Sequence, residues 1–290
     1  MSIINDKAIA QSIDPSQLAV PGVVETIDIE RIAQEMLTDL RRLDPTFSAT
    51  VESDPVYKLV QVAAYREGLL RQRINDAARA VMLAYARGTD LDHLAALLGV
   101  GRLEGEDDTD MRLRTQLALE GYSTAGPIGA YTFHGRSASP EVKDIDVASP
   151  SPGEVVITVL SVQGDGTPSP DLLGTVDAAL NHDDVRPLTD QVTVRAPVVI
   201  PYQVEAALYM YEGPDTQTVL EEAYSRIESY VDAQHRLGHD IAISGLHAAL
   251  HIPGAVQRVA LLSPAADIVV APDEVAFNTD ITLSLGGTDE

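Results

Sequence analysis

The stretch HAALH places His247 and His251 four residues apart. On a helix, positions i and i+4 lie on one side, and two imidazoles so placed can share a zinc ion. The chemistry would be that of a metal-dependent hydrolase. The pair lacks the glutamate of an HExxH motif, however, and no third ligand is spaced nearby. We read it as two half-buried histidines at the edge of a sheet-covering helix. A second group, HRLGHD, holds His235, His239 and Asp240. At a helix C-terminus histidine interacts favourably with the helix dipole, and Gly238 suits the stop position, so this group reads as a structural cap. The loop GVGRLEG has the spacing GxGxxxG and follows a helix, whereas a dinucleotide loop needs strand, tight turn and helix. EGEDDTD and QGDGTPSPD are rich in oxygen ligands but match no twelve-residue calcium loop. They read as helix N-terminal acids and a plain loop. No GxSxG is present, and no paired carboxylates stand in a convincing frame. No catalytic residue, metal ligand or cofactor site is assigned.

Composition narrows the classes further. The 290 residues include no cysteine, which removes disulfides, thiolate metal sites and a cysteine nucleophile. A net charge of −24 argues against nucleic acid or an anionic membrane as partner, because phosphate neutralisation needs clustered Lys and Arg. No run approaches the ~18–20 apolar residues of a membrane span, and the N-terminus has no signal-peptide pattern. Aromatics are 4% of the chain and Trp is missing, so the core must come from Leu, Val, Ile and Ala.

The elements that would position any site follow from periodicity. Residues 1–27 contain Pro15, Pro21 and Gly22 without periodicity and read as an extended arm. Ile29, Ile32, Met36, Leu40 and Leu43 recur at helical spacing, with Asp28 as cap. The strongest signal is a long helix over about 54–87. Ser53 or Asp54 suits its N-cap, Pro55 its first turn and Gly88 its stop. Its seam runs Val56, Leu59, Ala63, Arg66, Leu70, Ile74, Ala77, Val81 and Ala84, polar only at Arg66. A long helix gains stability from a buried face, and continuous threes and fours suit a bundle or coiled coil. Leu91, Leu94, Leu97 and Leu98 form a short helix ending at Gly99, and helices over 107–122 and from Pro127 onward make residues 28–138 mostly helical.

From 139 the pattern changes. Val142, Ile145 and Val147, then Val155, Ile157 and Val159, predict a hairpin. A helix with Leu172, Val176, Ala179 and Leu180 and a strand over 191–195 complete a first α/β module, 139–197. In 198–290 we expect a second: a strand that Pro201 confines to an edge or breaks, two helices, and up to three strands after 253. Short helix, Pro, strand, Ser-Pro, strand recurs in 128–160 and 243–275, a diverged repeat. The fold class is therefore α+β, with an N-terminal helical region and two small α/β sandwich modules.

Three successive stretches, YREGLLRQRINDAARAVMLAYARGTDLDHLAALLGVGR, RLRTQLALEGYSTAGPIGAYTFHGRSASPEVKDIDVASPSPGEVVITVL and DAALNHDDVRPLTDQVTVRAP, resemble the baseplate J-like proteins of contractile phage tails and tail-like injection machines. The resemblance spans about 55–197, with the region beyond 198 fitting the family's looser C-terminal part. It implies a structural baseplate wedge protein, not an enzyme and without cofactor, placed in the virion tail after assembly in the host cytoplasm. The implied partners are other wedge subunits, copies of itself, and hub or sheath neighbours. A tail-tip or fibre-connecting adaptor is the alternative. The seam residues Leu59, Leu70, Ile74 and Val81 would join neighbours. Leu91, Leu94, Leu97 and Leu98 would lock the end of the long helix into the body. Arg186 and Pro187 would fix the turn into the strand 191–195, with Asp183, Asp184 or Asp190 as charge partner for Arg186. Ring closure needs heterologous contacts, which two distinct modules could supply.

Overall fold

A computed structural model describes residues 18–19, 21–47, 53–123, 126–212 and 215–288. Residues 1–17 of the expected N-terminal arm lie outside the described residues. The mixed α+β class holds: eight helices and two three-stranded sheets are present among the described residues. The chain divides into two compact units, one running up to Arg102 and including Asp107–Thr115, the other holding Leu103–Glu106 and everything from Gln116 onward.

The first unit is helical. α1 (Ile29–Leu43) starts where the Asp28 carboxylate accepts from the Glu30 and Arg31 N–H groups, and it buries Ile32 and Leu37. α2 (Pro55–Ala80) starts the same way at Asp54, with Pro55 in its first turn. It ends seven residues before the expected Arg87. Residues 81–87 wind into turns in which the Tyr85 and Ala86 N–H groups bond to Met82 O. Arg112 holds this turn from outside, its guanidinium reaching Leu83 O and Ala86 O at 2.7 Å each. Gly88, at φ +51°, therefore opens the next helix, α3 (Gly88–Ala96), and does not close α2. α4 (Asp108–Gly121) contributes to both units; at its start Asp108 accepts from the Gly88 N–H and pairs with Arg102 at 2.8 Å.

The second unit contains both sheets. α5 (Ile128–Ala138), β1 (Val142–Ala148), β2 (Glu154–Ser161), α6 (Pro170–Leu180) and β3 (Gln191–Arg195) form one layered module. β2 lies between an antiparallel β1 and a parallel β3. The odd three-residue gap from Val142 to Ile145 has a cause, for the register shifts between Val142 and Asp144. A bulge there returns Ile145 to the buried face. Tyr131, Ile157, Val159, Leu172, Val176 and Leu180 lie in its core.

β4 (Val198–Met210), α7 (Thr216–Gln234), α8 (Ile243–Leu250), β5 (Val256–Ser263) and β6 (Glu274–Thr288) form the other module. Here β4 is the central strand, antiparallel to β5 and parallel to β6, which corrects the edge assignment drawn from Pro201. β5 pairs with β4 only from Glu205 to Met210, so the proline sits where one side of the strand has no partner and its missing N–H breaks no ladder there. Among the described residues two strands follow residue 253, within the expected limit of three. The helix–strand pairs α5–β1 and α8–β5 do recur, but the repeat stops at the next strand: β2 pairs with β1, whereas β6 pairs with β4.

Candidate functional site

The long helix does not bury the face its sequence favours. Ala64, Gly68 and Asn75 are its buried residues, and the expected seam points outward: Leu59, Leu70, Ile74 and Val81 are 59–69% exposed, with Val62 and Leu69 also exposed. The buried side packs on α1 and the extended residues before it. An added Cβ at Gly68 would stand 3.0 Å from Ile29 Cγ1, so the glycine makes room for the Ile29 side chain. About two turns further on, the Asn75 side chain pairs with the backbone of Glu25 in both directions. Its Nδ2 donates to Glu25 O at 2.8 Å, and its Oδ1 accepts from Glu25 N at 3.1 Å. Arg71 adds a charged contact to the Glu25 carboxylate and another to Glu67. Small residues and an amide thus make the inner face, leaving the large apolar side chains free.

The other expected positions divide. Leu91 is fully buried with Ala95, Leu94 and Leu98 are half-buried, and Leu97 is 81% exposed. Arg102 reinforces this corner, paired with Asp92 and Asp108; hydrogen bonding to Asp92 leads the causes that raise its pKa. Arg186 finds no carboxylate among the described residues. Its Nη1 donates to the main-chain carbonyl of Asp190 at 2.9 Å, and the Asp190 carboxylate instead accepts from the Tyr131 hydroxyl at 2.7 Å. Burial, then that hydrogen bond, pushes the Tyr131 pKa up. Pro187 accepts the Asp190 N–H in the turn leading into β3.

The cap expectation fits His235 but not Gly238. α7 stops at Gln234 with His235 as its C-cap, so Gly238 lies beyond the stop position, where its N–H bonds to Glu274 O. His235 reaches from the second module to the first. Lys143 Nζ lies 3.1 Å from its Nδ1, and Asp165 O lies 3.2 Å from its Nε2. An ammonium can only donate, so Nδ1 accepts and the proton sits on Nε2. Burial lowers the His235 pKa, with Lys143 adding to it. Asp144 completes this junction, its Oδ1 taking Arg136 at 3.1 Å and its Oδ2 the Leu237 N–H at 3.2 Å. Leu160, Leu237 and Val275 pack together behind it. The sequence reading missed Asn75, Asp144 and Arg136, because each stands among other polar residues (Arg71 and Gln72, Lys143 and Asp146, His134 and Ser137) and no periodicity sets it apart. His247 lies in α8 and His251 caps its end. Among the described residues no group of three His, Cys, Asp or Glu side chains is placed to hold a metal, and no helix is long and apolar enough to cross a membrane.

The geometry at these positions is one of packing and polar contacts. The Baseplate J-like N-terminal domain matches residues 52–107, the central domain 123–196 and the C-terminal domain 202–284. The chain belongs to the Baseplate J-like family. A curated relative, "Baseplate protein J" of Escherichia phage P2, is 46% identical over 300 residues, spanning 96% of this chain and 99% of the phage protein. Among solved structures, a chain of the anti-feeding prophage baseplate aligns at a TM-score of 0.44 and 16% identity, over 62% of this chain and 43% of that one. The Baseplate J-like N-terminal match covers all of α2 and α3, so the outward apolar face lies within the family's own domain.

Proposed function

We propose that this protein is a structural subunit of a contractile-tail baseplate, and that it takes its place in a wedge or ring around the central hub through protein–protein contacts. The observation that carries the reading is the exposed apolar face of α2. A helix of 26 residues is about 39 Å long, and contiguous apolar surface on that scale marks an interaction site. Family membership and the near full-length likeness to a baseplate protein support the same reading. In it, Leu59, Leu70, Ile74 and Val81 contact a neighbouring subunit, Leu91, Leu94 and Leu98 brace the end of α2, and Arg186 and Pro187 hold the turn into β3. The partners are other wedge subunits, further copies and hub or sheath neighbours, assembled in the host cytoplasm and carried in the tail. The domain divisions 28–138, 139–197 and 198–290 serve as its building blocks.

Co-expression with the proteins encoded beside it, followed by light scattering and electron microscopy, tests this. Multi-chain wedges or rings are expected. A single chain that stays alone at high concentration with every neighbour present overturns it.

A further inference from the structure

β6 is an edge strand, paired on one side with β4. On its other side a bridge from Leu237 to Val275 covers the start, and beyond that bridge no described backbone group pairs with it. Register shifts mark bulges at Thr279 and Gly286. Between them Asp280–Leu285 runs opposite Gln203–Leu208 without interruption. Soluble proteins shield such edges with lysine or proline, and this run, DITLSL, has neither. Beside it lies a groove of about 360 Å³, walled by Gln217, Leu220, Glu221 and Tyr224 of α7 and by Ile281 and Leu283 of β6. The four α7 residues, at i, i+3, i+4 and i+7, form one helix face. A strand laid on the open edge would sit ~4.8 Å from β6, and every second side chain would point to the groove side. Two carboxylates flank this place. That of Glu221 accepts from Gln217 and that of Asp280 from Thr282, and neither meets a cation among the described residues.

Resting on the assembly reading above, we propose that β6 and α7 form a strand-addition site, and that its occupant is an extended segment of a different protein, with apolar residues at alternate positions and Lys or Arg beside them. Main-chain hydrogen bonds to the open edge supply affinity, and the groove selects the alternate side chains. Covering Glu221 without an opposite charge is costly, and a lysine or arginine on the incoming strand removes that cost. A second copy is disfavoured. Among the described residues the strands of this chain carry three cations, and each is engaged: Lys143 beside Asp232 and His235, Arg195 with Asp273, and Arg258 over the Tyr209 ring. A strand from another copy therefore leaves both carboxylates unanswered, and the acids select against self-pairing.

The test uses the complex isolated after co-expressing the full chain with the proteins encoded beside it. A photo-crosslinking phenylalanine analogue replaces Gln217 on the groove wall, and the linked residue is mapped by mass spectrometry. The link is expected on an extended, Lys- or Arg-bearing segment of another protein. Amide exchange over residues 280–285 should be slower in the complex than in the isolated chain, by about fivefold or more. The double variant Glu221→Lys/Asp280→Lys should melt as the parent does, because both side chains are exposed, and should lower the yield of the link about tenfold. Changing the linked cations to Glu should restore it. A link to a strand of a second copy, a link to a helix or to a segment without cations, or an unchanged yield in the charge-reversed variant overturns the proposal. So does an intact complex with no link and no slowing at 280–285. If no complex forms with every neighbour present, the assembly reading falls first and the strand site with it.

Discussion

At the scale of single residues, the protein relies on side chains that stand in for backbone. The Asn75 amide gives residue 25 both a donor and an acceptor, as a neighbouring strand would. Truncating it leaves those two main-chain groups without their partner, a loss of about 1–3 kcal/mol. We expect Asn75→Ala to lower unfolding stability by that amount in urea, and Asn75→Asp to do little better, since it can no longer donate to Glu25 O. Glycines offer a matched contrast. Gly166 has φ +92°, and an added Cβ would overlap Leu160 Cδ1 and approach His235 Nε2 at 3.2 Å. Gly174 sits in α6 with nothing within 4 Å of an added Cβ. Gly166→Ala should therefore cost about 1–3 kcal/mol, whereas Gly174→Ala should gain about 0.5–1 kcal/mol from helix propensity. Thermal melts of the two variants side by side check the sign of each.

At the scale of elements, α2 shows what a sequence reveals and what it conceals. Its start was legible, because Asp54 and Pro55 have one mechanical role each at a helix N-terminus. The caps of α1 and α6, at Asp28 and Ser169, follow the same local rule. Its end was not legible, because the turn at 81–87 is held by Arg112 from a distant helix. The identity of its buried face was also hidden. Periodicity finds the apolar stripe, but the chain chose its small-residue stripe for intramolecular packing, since Ala64 and Gly68 let α1 come close. The large apolar side chains Leu59, Leu70 and Ile74 stay exposed on the opposite face. Pro201 is a similar case: a rule about missing donors needs the reach of β5, which sequence does not give. The inverted face makes a direct prediction. Leu70→Asp should change the stability of the isolated chain by no more than ~0.5 kcal/mol, as an exposed site does. Ala64→Leu, overpacking a fully buried position, should cost about 1–3 kcal/mol. Denaturant titration of both would show the reverse order if the seam were the internal face.

At the scale of the whole molecule, acid should unfold this protein in two windows with different origins. His235 and His239 both have pKa values lowered by burial, with Lys143 and Arg236 respectively adding repulsion. Asp144, Asp165, Asp232 and Asp240 pull the other way but do not win. The unfolded chain thus binds protons more readily than the folded one once pH falls below the ordinary histidine value of 6.5. Stability rises with pH wherever the unfolded state holds more protons. Both histidines therefore contribute fully above 6.5, and stability drains away as pH falls from there through their folded values. Asp108 and Asp165 act lower down. Backbone hydrogen bonds from Gly88 and Thr167 hold them below the usual 3.8, so their contribution persists above that value and is lost beneath it. Because His235 spans the two α/β modules, the upper window reports on their junction. His235→Gln keeps an acceptor for Lys143 and a donor for Asp165 O yet does not titrate. It should match the parent near neutrality and lose stability less steeply below pH 6.5, leaving the carboxylate window unchanged. Urea midpoints measured across the acid range would show this as a flatter slope, and an unaltered slope would remove His235 as its source.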